Sequence, residues 1–384
     1  MALAYSNAES NGLKEHSGLQ SAAVDQKNSD LPDNDNGDTT DLFLGLTPDK
    51  VLEAVEAGGV RCNPVCYTLN SFENRVYEIE LEDKSRLVSK FYRPGRWSRE
   101  QILEEHRFLQ DCEDSEIAVC NVRPFPDGTT LKTVDNIHYC LFDRKGGRAP
   151  EDLTVELVER LGMLVARMHI VGANRPFEHR ITIDPATYIH KNLDWLDAHP
   201  QFLPTHLQDR FHTAALDLAD IAESYLKDVP IHRVHGDLHS GNLIERHGAF
   251  HALDFDDAVI GPAVQDMWLL LPGRDTRTRR LREVFIEAYE QFRPFDRSQL
   301  RLIEPLRGMR YIHYAVWIAR RWHDPAFPQT WPHFGTEDYW DSEVRDLEDL
   351  LRVVRDGDVL LQPEEPAAPT EELTNADFFW DMED

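Results

Sequence analysis

Alternation of apolar and polar residues marks the first third of the chain. Four such runs are separated by polar turns, at 67–69, 75–81, 86–92 and 137–142. Successive side chains of a strand point to opposite faces, so these runs predict β-strands. Two helices are predicted as well, at 48–58, where Pro48 stands near the start, and at 101–109, where apolar residues recur every three or four positions.

Helical periodicity dominates beyond residue 150. The first helix is predicted at 155–169, and the others at 207–226, 263–271, 281–292, 299–321 and 342–354. Between them, two short apolar runs at 231–234 and 251–255 predict a pair of strands. The sequence therefore predicts an α+β fold of two lobes, a small, mostly β lobe followed by a larger, mostly helical one.

Acidic side chains are concentrated at the two ends of the chain. Residues 1–42 contain eight acidic and two basic side chains, and residues 363–384 contain eight acidic and no basic ones. Such segments bury too little apolar surface to offset the entropy lost on ordering, so we expect two disordered tails. The small lobe then spans 43–144 and the large lobe 145–362.

The overall charge and the cysteines narrow the range of partners. The 384 residues carry a formal net charge of −28, which repels nucleic-acid phosphates and anionic lipids, so we expect neither nucleic acid nor membrane as a partner. No apolar stretch reaches the roughly 18 residues that span a bilayer. The first residues lack the features of a secretory signal, and the five cysteines are irregularly spaced. We expect a cytoplasmic protein that is a monomer.

The strongest chemical signal is a pair of motifs that each follow an apolar run. The first is His235-Gly236-Asp237-Leu238-His239-Ser240-Gly241-Asn242, and the second, which begins twelve residues after Asn242, is Asp254-Phe255-Asp256-Asp257. A carboxylate at 237 can accept a proton from an attacking hydroxyl group. The oxygens of Asn242 and Asp254 are hard ligands suited to Mg²⁺. Phosphoryl transfer requires both functions, a proton acceptor for the attacking hydroxyl group and a metal site for the phosphates. The alternative is that the two aspartates merely cap turns, which would not require the full pattern.

The two motifs resemble the catalytic loop and metal-binding segment of the protein-kinase-like superfamily, in its aminoglycoside/choline phosphotransferase branch. The resemblance covers residues 43–360 and narrows to the stress response kinase A family of bacterial serine/threonine protein kinases. The segments that carry it are 69–77, 90–94, 101–106, 261–266 and 320–328. It implies a two-lobed protein-kinase-like fold. It also implies Mg²⁺-dependent transfer of the γ-phosphoryl group of ATP to Ser/Thr hydroxyls of a protein, in a stress response.

The resemblance also implies roles for residues of the two motifs. Asp237 corresponds to the proton acceptor. Asn242 and Asp254 correspond to the Mg²⁺ ligands, and Asp254 is counted as catalytic as well.

The resemblance also implies roles for residues of the small lobe, at the ATP site. Lys90 resembles the lysine that holds the α- and β-phosphates, and its expected carboxylate partner is Glu105, with Glu104 beside it as the alternative. Neither a glycine-rich kinase loop nor a P-loop motif occurs. The turn at 70–74 stands where the phosphate cover belongs, and the resemblance implies that Ser71 lies at the ATP site. The alternative for Ser71 is an ordinary hairpin turn.

Two other functions stay open. A small-molecule kinase for an aminoglycoside, choline or homoserine would carry the same core motifs, and only the extended family resemblance favours protein acceptors, with the kinase itself among them. A pseudokinase that acts as a binding module should lack a core residue, and all of them are present. A zinc site at His232, His235 and His239 is disfavoured because their spacing runs across a strand and a loop.

Overall fold

The small lobe is built on an antiparallel sheet. The computed structural model describes residues 43–356 apart from 70, 151 and 247–248, so the predicted disorder of the tails lies outside the described residues. The strands are β1 Cys62–Leu69, β2 Arg75–Leu81, β3 Arg86–Phe91, β4 Val122–Arg123, β5 Lys132–Val134 and β6 Ile137–Asp143. They pair in the order β1-β2-β3-β6-β4, with β5 also on β6. Lys90 on β3 lies opposite Val76 and Cys140, so it is flanked by strands on both sides.

Two helices complete the small lobe, and side-chain caps set where each begins. Helix α1 spans Pro48–Ala57 and is capped by Thr47. Helix α2 spans Arg99–Asp114 and begins with a capping box, in which the Ser98 hydroxyl accepts the backbone N–H of Gln101 and the Gln101 side chain accepts the N–H of Ser98. The box fixes the first turn of the helix that carries both candidate glutamates.

The large lobe is mainly helical. Its helices are α3 Val155–Ala173, α4 Lys191–Ala198, α5 Thr205–Leu226, α6 Val264–Leu270, α7 Thr276–Tyr289, α8 Ile303–Arg320, α9 Ala326–Thr330 and α10 Glu337–Arg355, with a π-helical turn, Ala186–His190, before α4. Its strands are β7 Ile231–Val234, β8 Leu243–Arg246, β9 Ala249–Ala252 and β10 Val259–Pro262. The predicted α+β class is confirmed. Among the described helices, none is both long and apolar enough to cross a membrane.

One predicted strand pairing is wrong. The runs at 231–234 and 251–255 are not partners, because β7 pairs with β10 and β9 pairs with β8. Residues 255–257 form a 3₁₀ turn instead of continuing a strand. The strands β8 and β9 are joined by only two residues, so closing this local hairpin costs little entropy, whereas the pattern of a short apolar run cannot specify its partner.

Apolar side chains of both lobes form one continuous cluster. It includes Tyr92, Trp97 and Phe108 of the small lobe together with Trp317 and Trp340 of the large lobe. A second, smaller cluster packs α1 against the sheet of the small lobe. The base of the small lobe, from the end of β3 into α2, is therefore part of the core of the large lobe.

A buried glutamate at the start of α8 makes folding stability depend on pH. Burial raises the pKa of Glu304, but Arg307 and Arg274 outweigh it and lower the pKa to about 2. Arg274 contacts both carboxylate oxygens, at 3.2 and 2.6 Å. Relative to an unfolded value of 4.5, this contributes about 3 kcal/mol to the free energy of unfolding, present above the unfolded pKa and lost as the pH falls toward the folded one.

We expect Glu304→Gln to unfold at a lower urea concentration than the wild type at pH 7. The difference in unfolding free energy should narrow as the pH is lowered from about 4.5 toward 3, because the wild-type carboxyl is then protonated in the unfolded chain while it stays mostly ionised in the folded one. Glu348→Gln removes a more exposed carboxylate that pairs with Arg210 and should change stability little. A difference that stays constant over this range would contradict the role of the Glu304 charge.

Candidate active site

The loop that carries the first motif is fixed by a buried aspartate of α6. Asp266 accepts the backbone N–H groups of His235 and Gly236, each at 2.9 Å. Gly236 has a φ of +84°, and a Cβ at this position would lie 2.2 Å from the carbonyl oxygen of Asp257. Only glycine fits there, and the tight turn brings Asp237, which is 1% exposed, to the end of β7.

Three side chains surround the carboxylate of Asp237. Its Oδ1 accepts a hydrogen bond of 2.6 Å from Arg310 of α8. Its Oδ2 lies 3.4 Å from the Nδ2 of Asn242 and 3.6 Å from the Nε2 of His239. Burial disfavours the charged carboxylate, but the guanidinium of Arg310 and the neighbouring imidazoles outweigh it, so the pKa of Asp237 lies below its usual range. The carboxylate is therefore ionised at neutral pH.

Asn242 and Asp254 are brought together by the hairpin of β8 and β9. Leu243 pairs with Ala252, so the next residues outward, Asn242 and Leu253, also lie close together. The N–H of Leu253 donates to the carbonyl oxygen of Asn242 at 2.9 Å. The Nδ2 of Asn242 donates to the carbonyl oxygen of Asp237 at 2.9 Å. Its Oδ1 is buried and has no hydrogen-bond partner within the described residues. A buried amide oxygen without a partner among these residues fits a hard cation.

Lys90 extends from the small lobe to the same site. Its ammonium lies 3.4 Å from Glu105, 3.0 Å from Asp254 and 2.9 Å from Asp256. Burial disfavours the charged amine, but these carboxylates outweigh it and hold the pKa of Lys90 well above its usual value. Of the two candidate glutamates, Glu105 is the one that contacts Lys90.

The neighbouring glutamate serves a different purpose. The carboxylate of Glu104 accepts the backbone N–H groups of residues 178–180 at 2.6–3.1 Å. It therefore ties α2 to the large lobe. Glu105 is fixed from its other side by Arg180, whose Nη2 lies 3.1 Å from its Oε2.

The motifs assigned no role to several charged residues of the site, although Asp256 and Asp257 stand in the second motif. Asp256 is fully buried and contacts both Lys90 and Arg96, and Arg96 also contacts Asp257. Arg310 is a cation on a helix whose other residues are mostly apolar. A charged residue in such a helix is unusual enough to indicate a buried partner, but the sequence does not say which.

The turn at 71–74 closes over the site from the small lobe. The hydroxyl of Ser71 accepts the backbone N–H of Asn74 at 3.2 Å, and the side chain of Asn74 donates to Asp256 at 3.1 Å. Glu73 accepts hydrogen bonds from Trp317 at 2.7 Å and Arg321 at 3.0 Å. The turn is thus bound to the large lobe, and a nucleotide contact of Ser71 stays a prediction.

The three histidines do not converge on one point. His235 lies against Phe255, with ring centroids 4.6 Å apart, and its Nε2 lies 2.6 Å from the carbonyl oxygen of Leu253. The ring of His232 packs on that of His169. His239 accepts the N–H of Gly241 through Nδ1, so its Nε2 carries the proton that faces Asp237.

The site therefore combines a buried ionised aspartate, two oxygen donors for a cation and a lysine from the opposite lobe. This fold and this set of groups are those of a phosphotransferase. The profile described as "APH: Phosphotransferase enzyme family" matches residues 68–303. The chain belongs to this family, and it is a kinase of that family.

Comparison with individual relatives narrows the family of this chain further. The chain is 39% identical to Stress response kinase A of Escherichia coli (strain K12) over 323 residues, which are 84% of this chain and 97% of that protein. It is 37% identical to Serine/threonine protein kinase RdoA of Salmonella typhimurium (strain LT2) over 331 residues, 86% of this chain and 99% of that protein. The predicted resemblance to the stress response kinase A family is confirmed.

Solved structures support the fold. The chain is similar to "Amicoumacin kinase hAmiN in complex with AMP-PNP, Ca2+ and Ami", with a TM-score of 0.65 at 20% identity over 84% of this chain and 98% of that one. At this identity the similarity shows the fold alone. The predicted two-lobed, protein-kinase-like architecture is confirmed.

Proposed function

We propose that this chain is an ATP- and Mg²⁺-dependent serine/threonine protein kinase that acts in a stress response. The observation that carries the proposal is that four residues of the two lobes are linked at one site. Lys90 lies 3.0 Å from Asp254, Asn242 lies 2.9 Å from the carbonyl oxygen of Asp237, and the hairpin that follows Asn242 joins the two pairs through the hydrogen bond from Leu253 to Asn242. The names of the relatives, Stress response kinase A and Serine/threonine protein kinase RdoA, support protein hydroxyl groups as acceptors.

Asp237 is proposed to align the acceptor hydroxyl and to take up its proton. Because the pKa of Asp237 is below its usual range, the carboxylate is a weak base, and it receives the proton only as the bond to phosphorus forms. General base catalysis of this kind contributes about 10²–10⁴-fold. Most of the remaining acceleration comes from positioning and from neutralisation of phosphate charge.

Asn242 and Asp254 are proposed to hold Mg²⁺. The Oδ1 of Asn242, which has no hydrogen-bond partner in the described part of the chain, and the carboxylate of Asp254 fit this cation. Within the described residues no three acidic, His or Cys side chains form a metal-binding cluster, so phosphate oxygens and water would supply the other ligands. When bound, Mg²⁺ neutralises the charge that develops on the β- and γ-phosphates.

Lys90 is proposed to bind phosphate oxygens of ATP as a point charge, with Ser71 in the turn above them. A nucleotide with its metal would compete for Asp254, which Lys90 now contacts. Glu105 stays anchored by Arg180, so it can keep the ammonium in place when that exchange occurs.

The proposal extends to the setting of the reaction. We place the enzyme in the cytoplasm, where reduced thiols are the rule, and the five cysteines, all among the described residues, are free thiols. We also propose that it acts as a monomer.

The decisive experiment offers γ-labelled ATP and Mg²⁺ to the purified protein. One sample contains the kinase alone, a second a generic protein acceptor, and a third an aminoglycoside, choline or homoserine. Label on Ser or Thr of the kinase or of the protein acceptor is expected. Label only on a small molecule would favour the second candidate, a small-molecule kinase. No transfer to any acceptor would contradict the kinase assignment.

A further inference from the structure

The guanidinium of Arg310 lies directly on the carboxylate proposed as the proton acceptor. Arg310 stands in the middle of α8, 73 residues from Asp237 in sequence, and its Nη2 lies 2.6 Å from the Oδ1 of Asp237. The two side chains are 6% and 1% exposed. A charge-assisted hydrogen bond this short, away from water, restricts the orientation of both groups.

The contact leaves the two carboxylate oxygens in different situations. Arg310 covers Oδ1, whereas Oδ2 faces the Nδ2 of Asn242 at 3.4 Å and the Nε2 of His239 at 3.6 Å. Both of these distances are at or beyond the limit of an ordinary hydrogen bond, so Oδ2 keeps acceptor capacity. Of the three side chains around Asp237, His239 is the most exposed, at 20%, so the approach of an acceptor hydroxyl is least obstructed on this side.

We propose that Arg310 is a positioning residue that turns the carboxylate of Asp237 so that Oδ2 meets the acceptor hydroxyl. This inference rests on the proposed kinase function and adds a residue to its machinery. Arg310 does not touch the substrate itself. Its effect is carried by the orientation of Asp237.

The helix that carries Arg310 also holds the turn that closes over the site. Residues 310, 317 and 321 are seven and four positions apart and so share one face of α8 and its end. On this face Trp317 and Arg321 bind Glu73 of the turn at 71–74, while Arg310 binds Asp237. One rigid element thus sets the position of the base relative to the turn, which is the geometry that a transfer between nucleotide and acceptor depends on.

A second buried arginine of α8 forms an ion pair away from Asp237. Arg307, one turn earlier on the helix, is as deeply buried as Arg310 and pairs with Glu304 at 3.1 Å. Loss of Arg310 removes the guanidinium that pairs with Asp237, and loss of Arg307 leaves Glu304 with Arg274 as its cation. Each substitution therefore removes one buried guanidinium from an ion pair on the same helix, at a cost in stability. Arg307→Met is therefore the matched control for Arg310→Met.

The test compares kcat and KM for ATP in Arg310→Met, Arg310→Lys and Arg307→Met, with melting temperatures measured on each. We expect Arg310→Met to lower kcat on the order of 10²-fold, as misplacement of a reacting group does, with KM for ATP unchanged. Arg310→Lys keeps a cation and should fold and recover part of the loss. Arg307→Met should lower the melting temperature without lowering kcat.

A double variant separates positioning from a structural effect. In the background of Asp237→Asn, Arg310→Met should cause little further loss of kcat, because the group it positions is no longer a base. Equal losses in both backgrounds, a wild-type kcat in Arg310→Met, or an equal loss in Arg307→Met would each overturn the inference while the kinase function stands. A wild type that transfers phosphate to no acceptor would overturn the function and the inference together.

Discussion

Asp254→Ala should abolish Mg²⁺-dependent phosphoryl transfer and leave the fold intact. Asp254 is proposed to hold the cation with Asn242, and one amide oxygen is a poor site on its own. The side chain of Asp254 is 10% exposed, and Lys90 keeps Asp256 and Glu105 as partners when Asp254 is removed. The substitution therefore relieves repulsion among carboxylates and opens no apolar cavity.

The measurement is turnover over a range of Mg²⁺ concentrations, with the melting temperature as a check on folding. Asp217→Ala is a suitable control, because it also removes one carboxylate of an ion pair, with Arg355, at an exposed position between α5 and α10. It should leave turnover unchanged. Wild-type turnover in Asp254→Ala at saturating Mg²⁺ would exclude Asp254 as a ligand.

Asp237→Asn should lower kcat by about 10²–10⁴-fold, the usual contribution of a general base. Nucleotide affinity should change little, because the contacts of Asp237 are with Arg310, Asn242 and His239 rather than with Lys90. Some loss of stability is expected, since the buried guanidinium of Arg310 then faces a neutral amide.

Binding of ATP and kcat should be measured on the same preparation of Asp237→Asn. Lys90→Ala provides the comparison, because it removes a proposed phosphate contact and should weaken ATP binding or turnover. An Asp237→Asn variant that lost ATP binding but kept its kcat would show that the roles of the two residues had been exchanged.

The local parts of the fold could be predicted from the sequence. The alternation at 75–81 and 86–92 and the periodicity of the helices reflect which faces are buried, and burial is what the hydrophobic pattern records. The partner of β7 could not be predicted, since a short apolar run is compatible with several neighbours.

The site could be predicted where its residues are close in sequence. The interval between Asp237 and Asn242 and the short hairpin that follows bring the motif residues together locally. Arg310 and Arg180 reach the site only through the packing of helices and loops from distant parts of the chain, which no local pattern encodes. Their contribution emerges from the structure alone.

The choice between the two glutamates is an intermediate case. Glu105 shares the buried face of α2 with Ile102 and Leu109, three and four positions away, whereas Glu104 is directed toward residues 178–180. Helical geometry applied to this one helix distinguishes the two positions. The pairing with Lys90 is expected from the family resemblance, and the two side chains lie 3.4 Å apart.

The shared core has a consequence for how the molecule comes apart. Tyr92 and Trp97 belong to the same apolar cluster as the helices of the large lobe, and Arg93 reaches across to Asp324 at 2.9 Å. A fragment that ended near Gly147 would expose these side chains to water and leave buried charges unmatched. The lobes are therefore halves of one folding unit, and a protease cut in the exposed connection between them should yield two pieces that remain associated and melt in a single transition.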